Sequence, residues 1–160
     1  MEEKKLKLIY WGVFAFTFVG VIVAYALFGP TTMKKGDLMS YLEQINPMVQ
    51  QTAQTLTSMN TVLSQPHSQR DPAAANIGRT KDLFASFYKQ MAGIKAPAAI
   101  SDIHAEFVDS MKNYAQGFAL YEQALKENNN PKMQQATALL EQGSLKLNEA
   151  SQKITKIEAK

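Results

Sequence analysis

Polar and apolar positions divide this chain into two regimes. Residues 1–7 are a polar tail, and the sequence then runs LIYWGVFAFTFVGVIVAYALF from Leu8 to Phe28 without one charged side chain. After Gly29-Pro30 the pattern changes. From residue 37 onward apolar residues recur at intervals of three and four, the spacing of helices that each bury one face. No β-type alternation of useful length interrupts it.

The first periodic segment carries Leu38, Leu42, Ile45, Val49, Thr52, Leu56, Met59 and Leu63 without a slip in register. This seam passes through Asn46-Pro47, where proline removes a backbone donor and crowds the preceding turn, so either the helix kinks there or Asn46 caps a new helix led by Pro47; the unbroken register favours a kink. Gln65-Pro66 and Asp71-Pro72 bracket a polar loop. A second stripe follows with Ile77, Thr80, Phe84, Phe87, Met91 and Ile94, ended by Lys95-Ala96-Pro97. A third carries Ile100, Ile103, Phe107, Met111, Tyr114, Phe118, Tyr121 and Leu125, with Ser101 or Asp102 available as its cap. Asn128-Asn129-Asn130-Pro131 reads as a turn and a capped, proline-led helix start. The fourth stripe is Met133, Ala136, Leu140, Gly143, Leu147, Ala150, Ile154 and Ile157. The pattern therefore predicts helices over 37–65, 73–95, 100–127 and 131–158. Their short connections imply an all-α, up-down-up-down four-helix bundle over residues 37–160.

The stretch 8–28 differs in kind. A helix of that length covers roughly 30 Å, the hydrocarbon thickness of a bilayer. It is expected to form a single transmembrane helix, preceded by the tail 1–7 and followed by a linker over 29–36. Tyr10, Trp11 and Tyr25 sit where amphipathic rings favour the headgroup level, and Lys4, Lys5, Lys7, Lys34 and Lys35 flank the span. Gly20 and Ala24 make a small-xxx-small pair suited to helix–helix contact in the membrane, so oligomerisation is open. A cleaved secretory signal is the competing reading, with Ala24-Tyr25-Ala26 as its cleavage site. The length of the run and the bulky Leu27-Phe28 beyond it favour an uncleaved anchor. There is no cysteine, which removes disulfides, thiolate metal sites and a lipoprotein anchor.

Charge sharpens this picture. The chain carries 17 Lys+Arg against 14 Asp+Glu, a net +3, and a pI near 9.0. Residues 1–35 hold five lysines and two acids, so the whole excess flanks the apolar stretch; residues 36–160 are neutral overall. A neutral domain does not bind nucleic acid through its backbone charge. A seven-residue tail with three lysines before the span, against two lysines after it, favours an N-terminus in the cytoplasm and a C-terminal domain outside, which is the expected topology.

No Walker loop, G-x-G-x-x-G, G-x-S-x-G or H-E-x-x-H motif occurs. His67 lies in the proline-rich loop. Asp102, His104 and Glu106 are two apart and diverge on a helix, so they do not assemble a metal site. Haem held by His104 and a methionine is the one cofactor geometry a bundle leaves conceivable. Glu43, Asp82, Asp109, Glu122, Glu141 and Glu149 are scattered among Lys and Gln as a solvated face. The expectation is a protein without catalytic residues, cofactor or metal.

Ala96-Pro97, His104 early in a helix, an Asn-rich turn and Leu140-x-x-Gly143-x-x-x-Leu147-x-x-Ala150 together resemble membrane-tethered extracytoplasmic helical-bundle proteins of bacteria, mainly Gram-positive ones. This chain departs from their lipoprotein members in lacking the anchoring cysteine. Its layout is also similar to four-helix sensor domains, without their second span. The resemblance implies location and fold. The expected role is a protein-binding accessory subunit or scaffold of an envelope complex. The alternative is a bundle that binds a small ligand or haem.

Overall fold

The computed structural model describes residues 35–63 and 70–158. The tail, the apolar stretch 8–28, most of the expected linker, the loop 64–69 and the last two residues lie outside the described residues. Within them the chain is all-helical: α1 (Lys35–Leu63), α2 (Arg70–Gly93), a single 3₁₀ turn (Ala98–Ile100), α3 (Ser101–Glu127) and α4 (Asn130–Glu158). The four α-helices pack as a bundle around one core. Lys81 on α2 meets Glu122 late in α3, and Glu106 early in α3 meets Lys153 late in α4, so each of these pairs is antiparallel. Tyr41 reaches His104 and Thr52 reaches Met111, which sets α1 parallel to α3.

The periodic stripes become the core. Leu38, Leu42, Ile45, Val49, Thr52, Leu56 and Met59 are buried on α1, joined by Tyr41 and Met48 from the flank of the seam. Phe84 lies at the centre, stacked on Phe118 with ring centroids 5.4 Å apart and tilted on Tyr114 at 4.9 Å; Phe87 meets it edge-on at 5.9 Å. Such pairs contribute about 0.5–1.5 kcal/mol each beyond the area they bury. The aromatic residues of the middle two helices thus fill the core.

α1 is one helix with Pro47 inside it. Pro47 and Glu43 are both exposed, so water can reach the carbonyl that proline leaves without a donor, and the buried seam outweighs a local cost of about 3 kcal/mol. Two local expectations change, at the start of α2 and at the cap of α3. α2 starts at Arg70 rather than 73, taking Pro72 into its first turn, where a missing N–H costs nothing. Neither Ser101 nor Asp102 caps α3: the N-cap is Ile100 without a side-chain bond, and the Ser101 hydroxyl donates back to the Ala98 carbonyl at 3.1 Å inside the 3₁₀ turn. The α3–α4 turn is built by asparagines. Asn128 adopts the left-handed conformation with φ 49°, which asparagine tolerates, and the Asn129 Oδ1 accepts from the Lys132 N–H at 3.0 Å as the cap of α4.

α3 and α4 approach more closely than large side chains permit. Ser110, Gly117 and Ala124 recur every seven residues on α3, and Ala136, Gly143 and Ala150 do so on α4; all are buried. The Ser110 hydroxyl donates to the Gly143 carbonyl at 2.7 Å across the seam. A methyl group on Gly117 would stand 2.7 Å from a Leu140 methyl, and one on Gly143 would stand 3.1 Å from the Tyr114 ring. Glycine at these positions lets the two backbones touch.

Candidate functional site

Most residues singled out for membrane contact, Lys4, Lys5, Lys7, Tyr10, Trp11, Gly20, Ala24, Tyr25 and Lys34, lie outside the described residues; Lys35 is the first residue of α1. Among the described residues no helix is long and apolar enough to cross a membrane. What the structure offers is the titratable chemistry of the bundle.

His104 is half-buried near the start of α3. Its Nδ1 lies 3.1 Å from the hydroxyl of Tyr41 on α1, and the rings meet edge-on with centroids 5.6 Å apart. Tyr41 is 1% exposed, and its burial pushes the phenol well above its ordinary range, so it remains a neutral hydrogen-bonding group. Burial lowers the imidazole pKa from the ordinary 6.5. With the ring neutral and Nε2 protonated, tyrosine donates and Nδ1 accepts. Sequence spacing missed this contact because its partners stand 63 residues apart. The only hint was Tyr41 beside the seam residue Leu42.

Asp102, His104 and Glu106 part company as helical geometry requires. Asp102 is exposed, His104 turns to α1, and Glu106 pairs with Lys153 of α4. Among the described residues no three His, Cys, Asp or Glu side chains converge to hold a metal ion. The Met111 sulfur, a conceivable haem ligand by composition, accepts from the Thr52 hydroxyl at 3.6 Å.

The remaining charges tie helices together. Glu122 accepts from Lys126 on its own helix and from Lys81 on α2, and these two bonds hold its carboxyl below the usual range. Asp109 accepts from Lys146 at 2.8 Å and raises that lysine's pKa. Glu127 accepts from Lys132 beside the α3–α4 turn. Glu43, Asp82, Glu141 and Glu149 are exposed. Pairs that water can reach are screened and add little to stability individually. They select register and do not form an acid–base pair.

The His104 contact has a measurable pH signature. The folded state holds this imidazole below its unfolded pKa, so the unfolded chain takes up a proton first as pH falls. Stability is full above about 6.5 and declines as pH drops below it toward the lowered folded value. Urea midpoints measured from pH 7.5 down to 5.5 are expected to fall for the wild type and to stay flatter for His104→Gln. Identical slopes would remove His104 as the cause. Tyr41→Phe is expected to cost about 1 kcal/mol at pH 7.5, since it leaves Nδ1 part-buried without its donor.

No family model matches the chain, and neither the curated proteins nor the solved structures supply a match.

Proposed function

We propose that the chain is a single-pass membrane protein whose helical bundle, carried outside the cytoplasm, binds another envelope or membrane protein as an accessory subunit or scaffold. The observation behind this reading is the placement of charge and apolarity. One uncharged run of bilayer length is flanked by lysines that hold the chain's whole charge excess, and it is followed by a neutral helical domain. α1 begins six residues after that run. The bundle would therefore stand with the start of α1, the end of α2, the start of α3 and the end of α4 nearest the membrane.

Two structural features suit a scaffold. The core is filled by its own aromatic and aliphatic side chains, and α3 and α4 are joined by tight small-residue packing. A rigid body of this kind presents helix faces and holds them in fixed relation. The exposed Leu145, at 62%, is the one large apolar side chain that stands out on the surface among the described residues. Mild crosslinking in intact cells followed by detergent extraction and identification of co-purified proteins tests the reading. Repeated recovery of a particular envelope protein is expected. Recovery of this chain alone would contradict the accessory role. The small-ligand or haem alternative predicts an absorbance band or a bound small molecule in the purified protein.

A further inference from the structure

Charge is distributed unevenly among the four helices. From Gln44 to Gln69 there is no Asp, Glu, Lys or Arg, and this run includes all of α1 beyond the exposed Glu43. The exposed positions of α1 between Gln44 and Ser58 are Gln, Pro, Ala, Thr and Ser, and Gln44, Pro47, Gln51, Gln54 and Ser58 form a stripe at intervals of three and four opposite the buried seam. At about 1.5 Å per residue that stripe is roughly 21 Å long. The outer faces of the other helices are different. Asp82 and Lys89 on α2, Asp109 and Lys112 on α3, and Glu141 and Glu149 on α4 are all exposed charges. Among the described residues every inter-helix ion pair joins α2, α3 and α4, and none reaches α1.

Depletion of charge at the centre of a surface patch is the compositional mark of a buried contact, because ions are costly to desolvate. Helix surfaces that stay in water ordinarily carry Lys and Glu at such positions. The chain outside the structure indicates what covers this face. Residues 1–34 end at the first turn of α1, so two copies whose spans lie side by side deliver one α1 to the other, parallel and at high effective concentration. A two-fold axis between them would pair the face with itself, which a face without charge accepts with no like-charge repulsion.

We infer that the uncharged outer face of α1 is a homodimer interface, in which Gln44, Gln51, Gln54 and Ser58 of two copies pack across a two-fold axis parallel to the helices. A single helix stripe roughly 21 Å long is a small contact, and a shared membrane raises the effective concentration at which it forms. The inference rests on the membrane tether proposed above.

The absence of cysteine allows a clean test. Gln51→Cys and Gln54→Cys place a thiol on this face, whereas Lys112→Cys on α3 and Glu141→Cys on α4 are exposed controls. In full-length chain kept in its membrane and treated with a mild oxidant, the two α1 variants are expected to give disulfide-linked dimer several-fold above the controls. Equal yields at all four positions, or no dimer from either α1 variant, would overturn the interface. So would α1 crosslinks to a different protein, which would assign the face to a heterologous partner. The double variant Gln51→Glu with Gln54→Glu sets four like charges in the contact and is expected to weaken the dimer about tenfold or more by native mass spectrometry from detergent. An unchanged dimer fraction would also overturn it. Alkaline carbonate washing of the same membranes reads the tether separately. Release of the chain with α1-specific crosslinks intact defeats the tether and keeps the pairing; retention without those crosslinks defeats the pairing and keeps the tether.

Discussion

Gly117→Leu is expected to cost about 3 kcal/mol or more, near the upper range for overfilling a packed core. The added side chain begins where even a methyl group would stand 2.7 Å from a Leu140 methyl and 3.3 Å from the Ala136 carbonyl. Leu140 can turn aside, but the carbonyl belongs to the α4 backbone and moves only if the helices separate. Separation would in turn stretch the bond from the Ser110 hydroxyl to the Gly143 carbonyl, so the damage spreads along the seam. Chemical denaturation of the full chain in detergent, followed by circular dichroism, measures the loss. Leu140→Ala should recover part of it in the double variant, giving a coupling energy of about 1 kcal/mol or more. A Gly117→Leu variant as stable as wild type would mean that α3 and α4 do not touch as described. Gly117→Ala sets a gain of about 1 kcal/mol in helix propensity against the same contact, and the net effect should be much smaller than that of leucine.

Phe118→Ala carries a comparable effect for the opposite reason. Phe118 is 1% exposed and stacks on Phe84. Removing the ring leaves a void that the neighbouring Phe84 and Tyr114 cannot fill without leaving their own contacts, and such truncations cost about 3–5 kcal/mol. A domain of ordinary stability has roughly 5–15 kcal/mol to lose, so this variant should melt well below wild type. The matched control is Leu145→Ala. Leu145 is 62% exposed, and its loss should stay within about 0.5 kcal/mol. Equal effects from the two variants would show that Phe118 is not at the centre of the core.

The helical class and the buried faces were legible in the sequence because apolar spacing is a local property that burial must satisfy. Twelve of the thirteen stripe positions on the first two helices with described side chains, including Thr52 and Thr80, are buried, and the exception, Ile94, is half-buried at the end of its stripe. Proline was read too strictly at Pro72, whereas the unbroken register through Pro47 did predict one continuous helix. Its local penalty is fixed, but a long seam outweighs it in one case and a helix start avoids it in the other. The second seam of small residues was only half visible. Ala136, Gly143 and Ala150 lie on the fourth stripe, whereas Ser110, Gly117 and Ala124 interrupt an apolar pattern and gain meaning once opposed to them. The Tyr41–His104 contact and the uncharged face of α1 were not recognised. The first joins residues far apart in sequence, and the second is a pattern of missing charge that stands out when exposed positions are separated from buried ones.

The proposed role requires that the bundle stand outside a membrane that residues 8–28 cross. In a chain without cysteine, a single thiol reports its own side of the membrane. Glu141→Cys places one at an exposed position of α4, and Lys4→Cys places one in the N-terminal tail. Cells stripped of their wall or outer membrane are treated with a maleimide that does not cross the bilayer, before and after permeabilisation. The Glu141→Cys thiol is expected to react in intact cells, and the Lys4→Cys thiol only once the membrane is opened. A Glu141→Cys thiol protected until permeabilisation would contradict this topology.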